Sequence, residues 1–159
     1  MSFGSKQVYT ISQAFEKATR YCAMQDRCQQ EVLFKLRQWG MNAEESGEVL
    51  ALLITENYVN DERFARAYVR GKFNQNDWGR MKIVKGLKAK GISESCIALA
   101  LTELDAMPYE EKLTRLAERK WKAEAKETEK KQTEKTARYL LSRGFESDIV
   151  WNIIKRLKA

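Results

Sequence analysis

Apolar residues recur along this chain at helical spacing, and the helical stretches themselves repeat. Leu36-Arg37-Gln38-Trp39-Gly40-Met41, Leu87-Lys88-Ala89-Lys90-Gly91-Ile92 and Leu140-Leu141-Ser142-Arg143-Gly144-Phe145 share one design. Each places a leucine four residues before a glycine and a large apolar residue directly after it. The glycines lie 51 and 53 residues apart, and Val49-Leu50-Leu53, Ala100-Leu101-Leu104 and Ile153-Ile154-Leu157 follow them at equal offsets. A helix commonly ends on glycine in the left-handed conformation, where other residues are strained. The apolar residue after it can fold back on the helix it has just left. Ser93, with Ser147 at the third turn, is then a candidate N-cap for the helix that follows.

A further helix precedes each pair. Thr10-Ile11-Ser12-Gln13 has capping-box spacing, with Phe15, Ala18 and Tyr21 on one face. Asn60 or Asp61 caps a helix with Phe64, Ala67 and Tyr68 on one side. Pro108 suits a first helical turn, before Leu113, Leu116, Ala117 and Trp121 at helical spacing. The expected fold is therefore all-α: nine helices in three tandem three-helix repeats, elongated and curved, over residues 1–59, 60–106 and 107–159. No strand is expected. Residues 122–135, KAEAKETEKKQTEK, hold no large apolar side chain, so they are either an exposed helical continuation or a flexible joint with a break near Thr128.

Composition narrows the chemistry. One proline and eight glycines are few punctuators, as long helices require. Histidine is absent, which removes the commonest general base near neutral pH and the commonest metal ligand. Cys22, Cys28 and Cys96 form no CxxC pair, so neither a metal nor a cofactor is expected. No apolar run approaches a membrane span. MSFGSKQVYT carries no basic-then-apolar segment, and the expectation is a soluble, cytoplasmic monomer in a reducing environment. Phosphate-loop and nucleophile-elbow motifs are missing. Asp61-Glu62 and Glu110-Glu111 sit at helix starts, where acidic groups favour the helix dipole. An enzyme is not expected.

The net charge of +7 is unevenly spread. Residues 61–91 hold nine basic and three acidic side chains, +6, against −1 for residues 1–60 and +2 for residues 92–159. Such a concentration suits an anionic partner, nucleic acid or an acidic protein groove; the alternative is a solvated face neutralised from elsewhere in the fold. Within it, NDERFARAYVR (residues 60–70) separates its faces. Arg63, Arg66 and Arg70 fall within about 60° on a helical wheel, with Phe64, Ala65 and Tyr68 roughly opposite. Arg63, Arg66, Arg70, Lys72, Arg80, Lys82 and Lys85 are the candidate partner- or DNA-binding residues. Residues 72–79 read as a polar loop whose Phe73 and Trp78 either pin it to the core or form a contact hot spot, Trp78 being the candidate site residue. Ser93 to Leu104 would be the reading helix of a helix-turn-helix. It contains no Lys or Arg, which argues against base readout.

Several stretches of this sequence resemble a known family. Tyr58 to Arg70, YVNDERFARAYVR, is similar to the signature of the bacterial regulatory family RecX. Gly79-Arg80 with Ile83, Leu87 and Lys90-Gly91-Ile92-Ser93 resembles its next motif, and Arg138 to Phe145, RYLLSRGF, its C-terminal one. The motifs occur in the family's order, over about residues 14–157. Cys28 and Glu31-Val32 stand where Ser-x-x-Glu-Leu is usual, and Asn57 replaces a common glycine. The resemblance implies tandem three-helix repeats. It also implies a non-enzymatic regulator that lies in the groove of the RecA recombinase filament on single-stranded DNA. Such a regulator limits filament growth, ATP hydrolysis, strand exchange and cleavage of the SOS repressor, in DNA repair. The alternative reading is a helical module that binds single-stranded DNA directly.

Overall fold

The computed structural model describes residues 9–159, so the reading of the first eight residues lies outside it. Among the described residues there are nine α-helices, one short 3-10 turn and no strand. They are α1 (Ile11–Met24), α2 (Gln29–Gln38), α3 (Ala43–Thr55), α4 (Asp61–Asn76), α5 (Arg80–Ala89), α6 (Glu94–Leu101), α7 (Tyr109–Ala123), α8 (Glu129–Ser142) and α9 (Ser147–Lys158), with the 3-10 turn at Thr102–Ala106. The fold is an all-α tandem repeat.

The three glycine turns are built alike. Gly40, Gly91 and Gly144 have φ of 89°, 73° and 91°, the left-handed region. In each turn the next amide donates back to the leucine carbonyl: Met41 to Leu36 at 3.1 Å, Ile92 to Leu87 at 3.2 Å and Phe145 to Leu140 at 3.3 Å. All six of these side chains are buried. The sequence signal is thus a carbonyl-capping motif with its hydrophobic contact. Each helix trio encloses its own apolar cluster, around Val32, Leu36 and Leu53, around Phe73, Ile83 and Leu87, and around Leu113, Leu140 and Ile153.

Helix starts match the sequence except at Ser147 and, by one residue, at Pro108. Thr10 and Gln13 form the capping box, Ser93 accepts from Cys96, and Asn60 rather than Asp61 caps α4. Ser147 does not cap α9. The cap position, two residues beyond each glycine, is Asn42 before α3, Ser93 before α6 and Glu146 before α9. Glu146 makes no side-chain cap bond because its carboxylate is engaged by Arg80 and Tyr109. Pro108 immediately precedes α7, and its carbonyl accepts from Lys112 at 3.0 Å.

Two segments carry more helix than their composition announces. Residues 72–76, read above as loop, continue α4. The helix stops at Asp77, which takes the left-handed conformation (φ 57°), and Trp78 donates to the Lys72 carbonyl at 3.0 Å. Phe73 is consequently a fully buried helical residue. In 122–135, α7 ends at Ala123 and Thr128 caps α8. The turn between is held by Lys120 on Glu124 (3.0 Å) and Lys135 on Glu127 (2.7 Å). These lysines hold both carboxyls below their ordinary range.

The units join through their middle helices. The first amides of α5 are satisfied by the third unit: Gly79 donates to Arg143 (2.7 Å), Arg80 to the Tyr109 hydroxyl (2.9 Å) and Met81 to Gly144 (2.9 Å). Tyr109 stacks on Phe73 at 5.7 Å and meets Phe145 edge-on. Buried Lys112 reaches from α7 to the Phe73 carbonyl and to Asp77 (2.8 Å). Between the first two units, the Gln29 amide at the start of α2 donates to Asp61 at 2.9 Å. The Cys28 side chain packs in the second unit's cluster, with Sγ 3.8 Å from the Lys90 carbonyl.

A Cβ at Gly79 would lie 2.6 Å from backbone atoms of Gly144 and Phe145, whereas one at Gly71, inside α4, would meet nothing within 4 Å. Urea unfolding should therefore show Gly79→Ala losing about 1–3 kcal/mol by overpacking. Gly71→Ala should gain about 0.5–1 kcal/mol from helix propensity. Burial is the main cause that pushes the Cys28 thiol from 9.0 up to about 11. Because the folded pKa is the higher one, this thiol's contribution is intact below pH 9 and is lost as pH rises towards 11. The urea midpoint should fall between pH 8.5 and about 10.5, and Cys28→Ser should remove part of that fall.

Candidate functional site

The sequence-predicted basic residues all lie on α4, α5 and their connection, yet the fold treats them differently. Arg63, in the first turn of α4, hydrogen-bonds Asp26 at 2.9 Å and the carbonyls of Asn57 (3.1 Å) and Tyr58 (3.2 Å). It holds the α3–α4 connection, where Asn57 has φ 62°, against the α1–α2 connection. Arg66 pairs with Glu62 (3.1 Å) and Glu103 (3.4 Å), and Arg70 with the same Glu103 (2.9 Å). These two arginines tie α4 to the 3-10 turn. Arg80 pairs with Glu146 at 2.5 Å and lies over the Tyr109 ring. Burial raises the Tyr109 hydroxyl well above its ordinary pKa, keeping it a neutral donor to Glu146.

The lysines are less engaged. Lys72 and Lys82 each stand 4.7 Å from the centroid of the Trp78 ring, one from each side of the α4–α5 connection. Lys82 also approaches the Ser142 carbonyl at 3.5 Å. Trp78 itself is half-buried, edge-on to Tyr68, and packs on the second unit's cluster. Lys85 and Lys88 are exposed and form no ion pair among the described residues. The surface excess of positive charge is therefore carried by lysines on α5 more than by the arginines of the signature helix.

Sequence reasoning missed what lies beside those lysines. Met81, Val84, Lys85 and Lys88 of α5 face Leu141 and Ser142 at the end of α8 across a groove of about 530 Å³. A second groove shares Leu141 and Ser142 and runs on past Arg138 to Trp151 of α9. Met81, Leu141 and Trp151 are 61%, 40% and 45% exposed. Only the junction brings α5 and α8 together, so helical periodicity within either helix could not announce the groove. No helix among the described residues is long and apolar enough to cross a membrane.

This architecture defines an all-α repeat protein of three-helix units with a lysine-rich face on the middle unit. Residues 14–53, 60–101 and 108–154 match the models of the first, second and third three-helix domains of RecX. The chain belongs to the RecX family. It is 30% identical to the RecX of Lactobacillus salivarius known from a crystal structure, with a TM-score of 0.83 over 93% of this chain and 96% of that one. A second crystal structure, of a regulatory protein RecX, is 27% identical with a TM-score of 0.83, over 92% of this chain and 73% of that one. Among curated proteins named regulatory protein RecX, that of Oceanobacillus iheyensis is 24% identical over 96% of this chain and 56% of its own length. That of Clostridium perfringens strain 13 is 30% identical over 82% and 62%. The chain spans little more than half the length of the curated relatives it matches first, 55–56%.

The arginines differ in what they hold. Arg63 satisfies two carbonyls and a carboxylate, so Arg63→Ala should cost about 1.5–3 kcal/mol in urea unfolding, as charged hydrogen bonds do. Arg70→Ala removes a half-exposed ion pair and should stay within about 1 kcal/mol.

Proposed function

We propose that this protein regulates the RecA recombinase filament on single-stranded DNA, binding across neighbouring protomers and limiting filament growth, ATP hydrolysis, strand exchange and cleavage of the SOS repressor. The observation that carries this reading is the ordered match of all three family-specific domains over one continuous fold. The physics is in keeping with it. Tandem units present an extended surface rather than a pocket, as tracking a groove requires. Contacts to more than one protomer reinforce each other through effective concentration. The protein acts by contact, as a monomer and without catalysis.

Its repeats divide at 59/60 and 106/107. Within the predicted basic face, Lys72, Lys82 and Lys85 make the intermolecular contacts with Trp78 at their centre. Arg66 and Arg70 contribute from the flank. Arg63 and Arg80 chiefly position the helices, because their guanidinium groups are committed inside the fold.

A second reading is direct binding to single strands, favoured by an aromatic ring with two lysine ammonium groups close to it. One comparison separates them. Fluorescence anisotropy should show binding to a RecA-coated oligonucleotide at least about tenfold tighter than to the bare one at physiological salt. Recombinase ATP hydrolysis should slow in parallel, and Lys85→Glu should weaken both effects without changing helical content. Tight, steeply salt-dependent binding to bare strands, with no preference for the coated one, would establish the second reading instead.

A further inference from the structure

The groove at the junction of the second and third units is unlike the rest of the basic face, because its floor is apolar. Met81 and Val84 from α5 and Leu141 from α8 form that floor, and Trp151 continues it across α9. Three of these side chains are large and substantially exposed. An exposed apolar strip rimmed by polar groups marks an interaction surface. The rim carries one dominant sign: Lys82, Lys85 and Lys88 along the first part and Arg138 along the second, against a single carboxylate, Glu134. Neither Lys85, Lys88 nor Arg138 has an ion-pair partner among the described residues, in contrast to the arginines of α4.

We infer that this junction groove docks an acidic amphipathic helix from the partner protein, seating its apolar side chains on Met81, Val84, Leu141 and Trp151 and its carboxylates against Lys85, Lys88 and Arg138. The occupant follows from the chemistry. An all-α surface offers no strand edge, so an extended peptide would leave its backbone bonds unmade, whereas a helix brings its own satisfied backbone. A sugar–phosphate backbone would meet the lysines but would gain nothing from Met81 or Leu141. The complementary ligand has carboxylates flanking apolar residues at helical spacing.

The groove is also formed by the docking of α5 against the end of α8. Its width is fixed where Met81 donates to Gly144 and where Gly144 approaches the Lys82 backbone too closely for any Cβ. A bound helix would therefore grip two units at once and resist their separation.

This inference rests on the reading that the partner is a filament protein, and the experiment has two arms so that the two can fail separately. In the first, Met81→Asp and Leu141→Asp are compared with the parent protein on RecA-coated oligonucleotide. Both side chains are exposed, and circular dichroism verifies the fold. Each should weaken binding about tenfold, and a photo-crosslinker at position 141 should attach to an acidic segment with apolar residues three and four apart. Undiminished binding by both variants, or crosslinking to the DNA strand, overturns the inference while leaving filament binding intact.

The second arm needs no filament. A synthetic acidic amphipathic helix of about five turns and a scrambled peptide of the same composition are titrated against the isotope-labelled protein. Chemical-shift changes centred on Met81, Leu141 and Trp151 for the first peptide alone support the groove, even if the parent protein fails to bind the filament. Equal responses to the two peptides, or no response, overturn it.

Discussion

The start of α5 is the constraint on which the rest of the molecule depends. A helix begins with amides that have no partner of their own, and Gly79, at the cap position, has no side chain to offer one. The third unit supplies the acceptors, two carbonyls from the turn after α8 and one tyrosine hydroxyl. The arrangement brings the positive end of one helix dipole to the negative end of another. Backbone can approach backbone this closely only because both Gly79 and Gly144 lack a Cβ. Gly144 thus serves twice: its left-handed conformation ends α8, and its carbonyl holds α5. The same pairing aligns Phe73, Tyr109 and Phe145, buries Lys112 and frames the groove between α5 and α8.

Charge in the middle unit follows from that packing. Its acidic counterparts come mostly from outside residues 61–91: Asp26, Glu31, Glu103 and Glu146 are all drawn to its cations, against Glu62 from inside. The arginines are spent on joining helices, a use suited to a planar group that makes several directed bonds. The lysines, with compact charge on flexible stems, remain at the surface. A positively charged stretch of sequence has become a set of structural clamps beside a smaller field of free ammonium groups.

Local order was legible in the sequence because it follows local rules. The three glycine turns, the Thr10 box, the Ser93 cap and the inward face of Phe64 and Ala65 all came from spacing alone, while the cap of α4 was narrowed only to Asn60 or Asp61. What escaped notice was set by contacts between units. Ser147 lost its cap role because Glu146 occupies that position and answers to Arg80. Residues 72–76 stayed helical because Phe73 is buried against Tyr109, a partner 36 residues away. The polar stretch 122–135 broke near Thr128 without any Gly or Pro, on cap chemistry and ion pairs. The site was legible only in part, since a wheel can assign a face but cannot say which arginine already has a carboxylate beside it.

Each middle helix but one borrows its N-terminal acceptor from the unit that follows: α2 from Asp61, α5 from Arg143, Tyr109 and Gly144, while α8 has its own Thr128. This gives the chain a direction in time. During synthesis a unit emerges before the one that completes it. The first unit leaves the ribosome with the Gln29 amide lacking its Asp61 acceptor and the Cys28 side chain without the apolar cluster that covers it. It becomes complete only when α4 has been made, and the second unit waits in turn for α7 and the turn after α8. Maturation proceeds from the first unit to the third, but the security of each step arrives from behind.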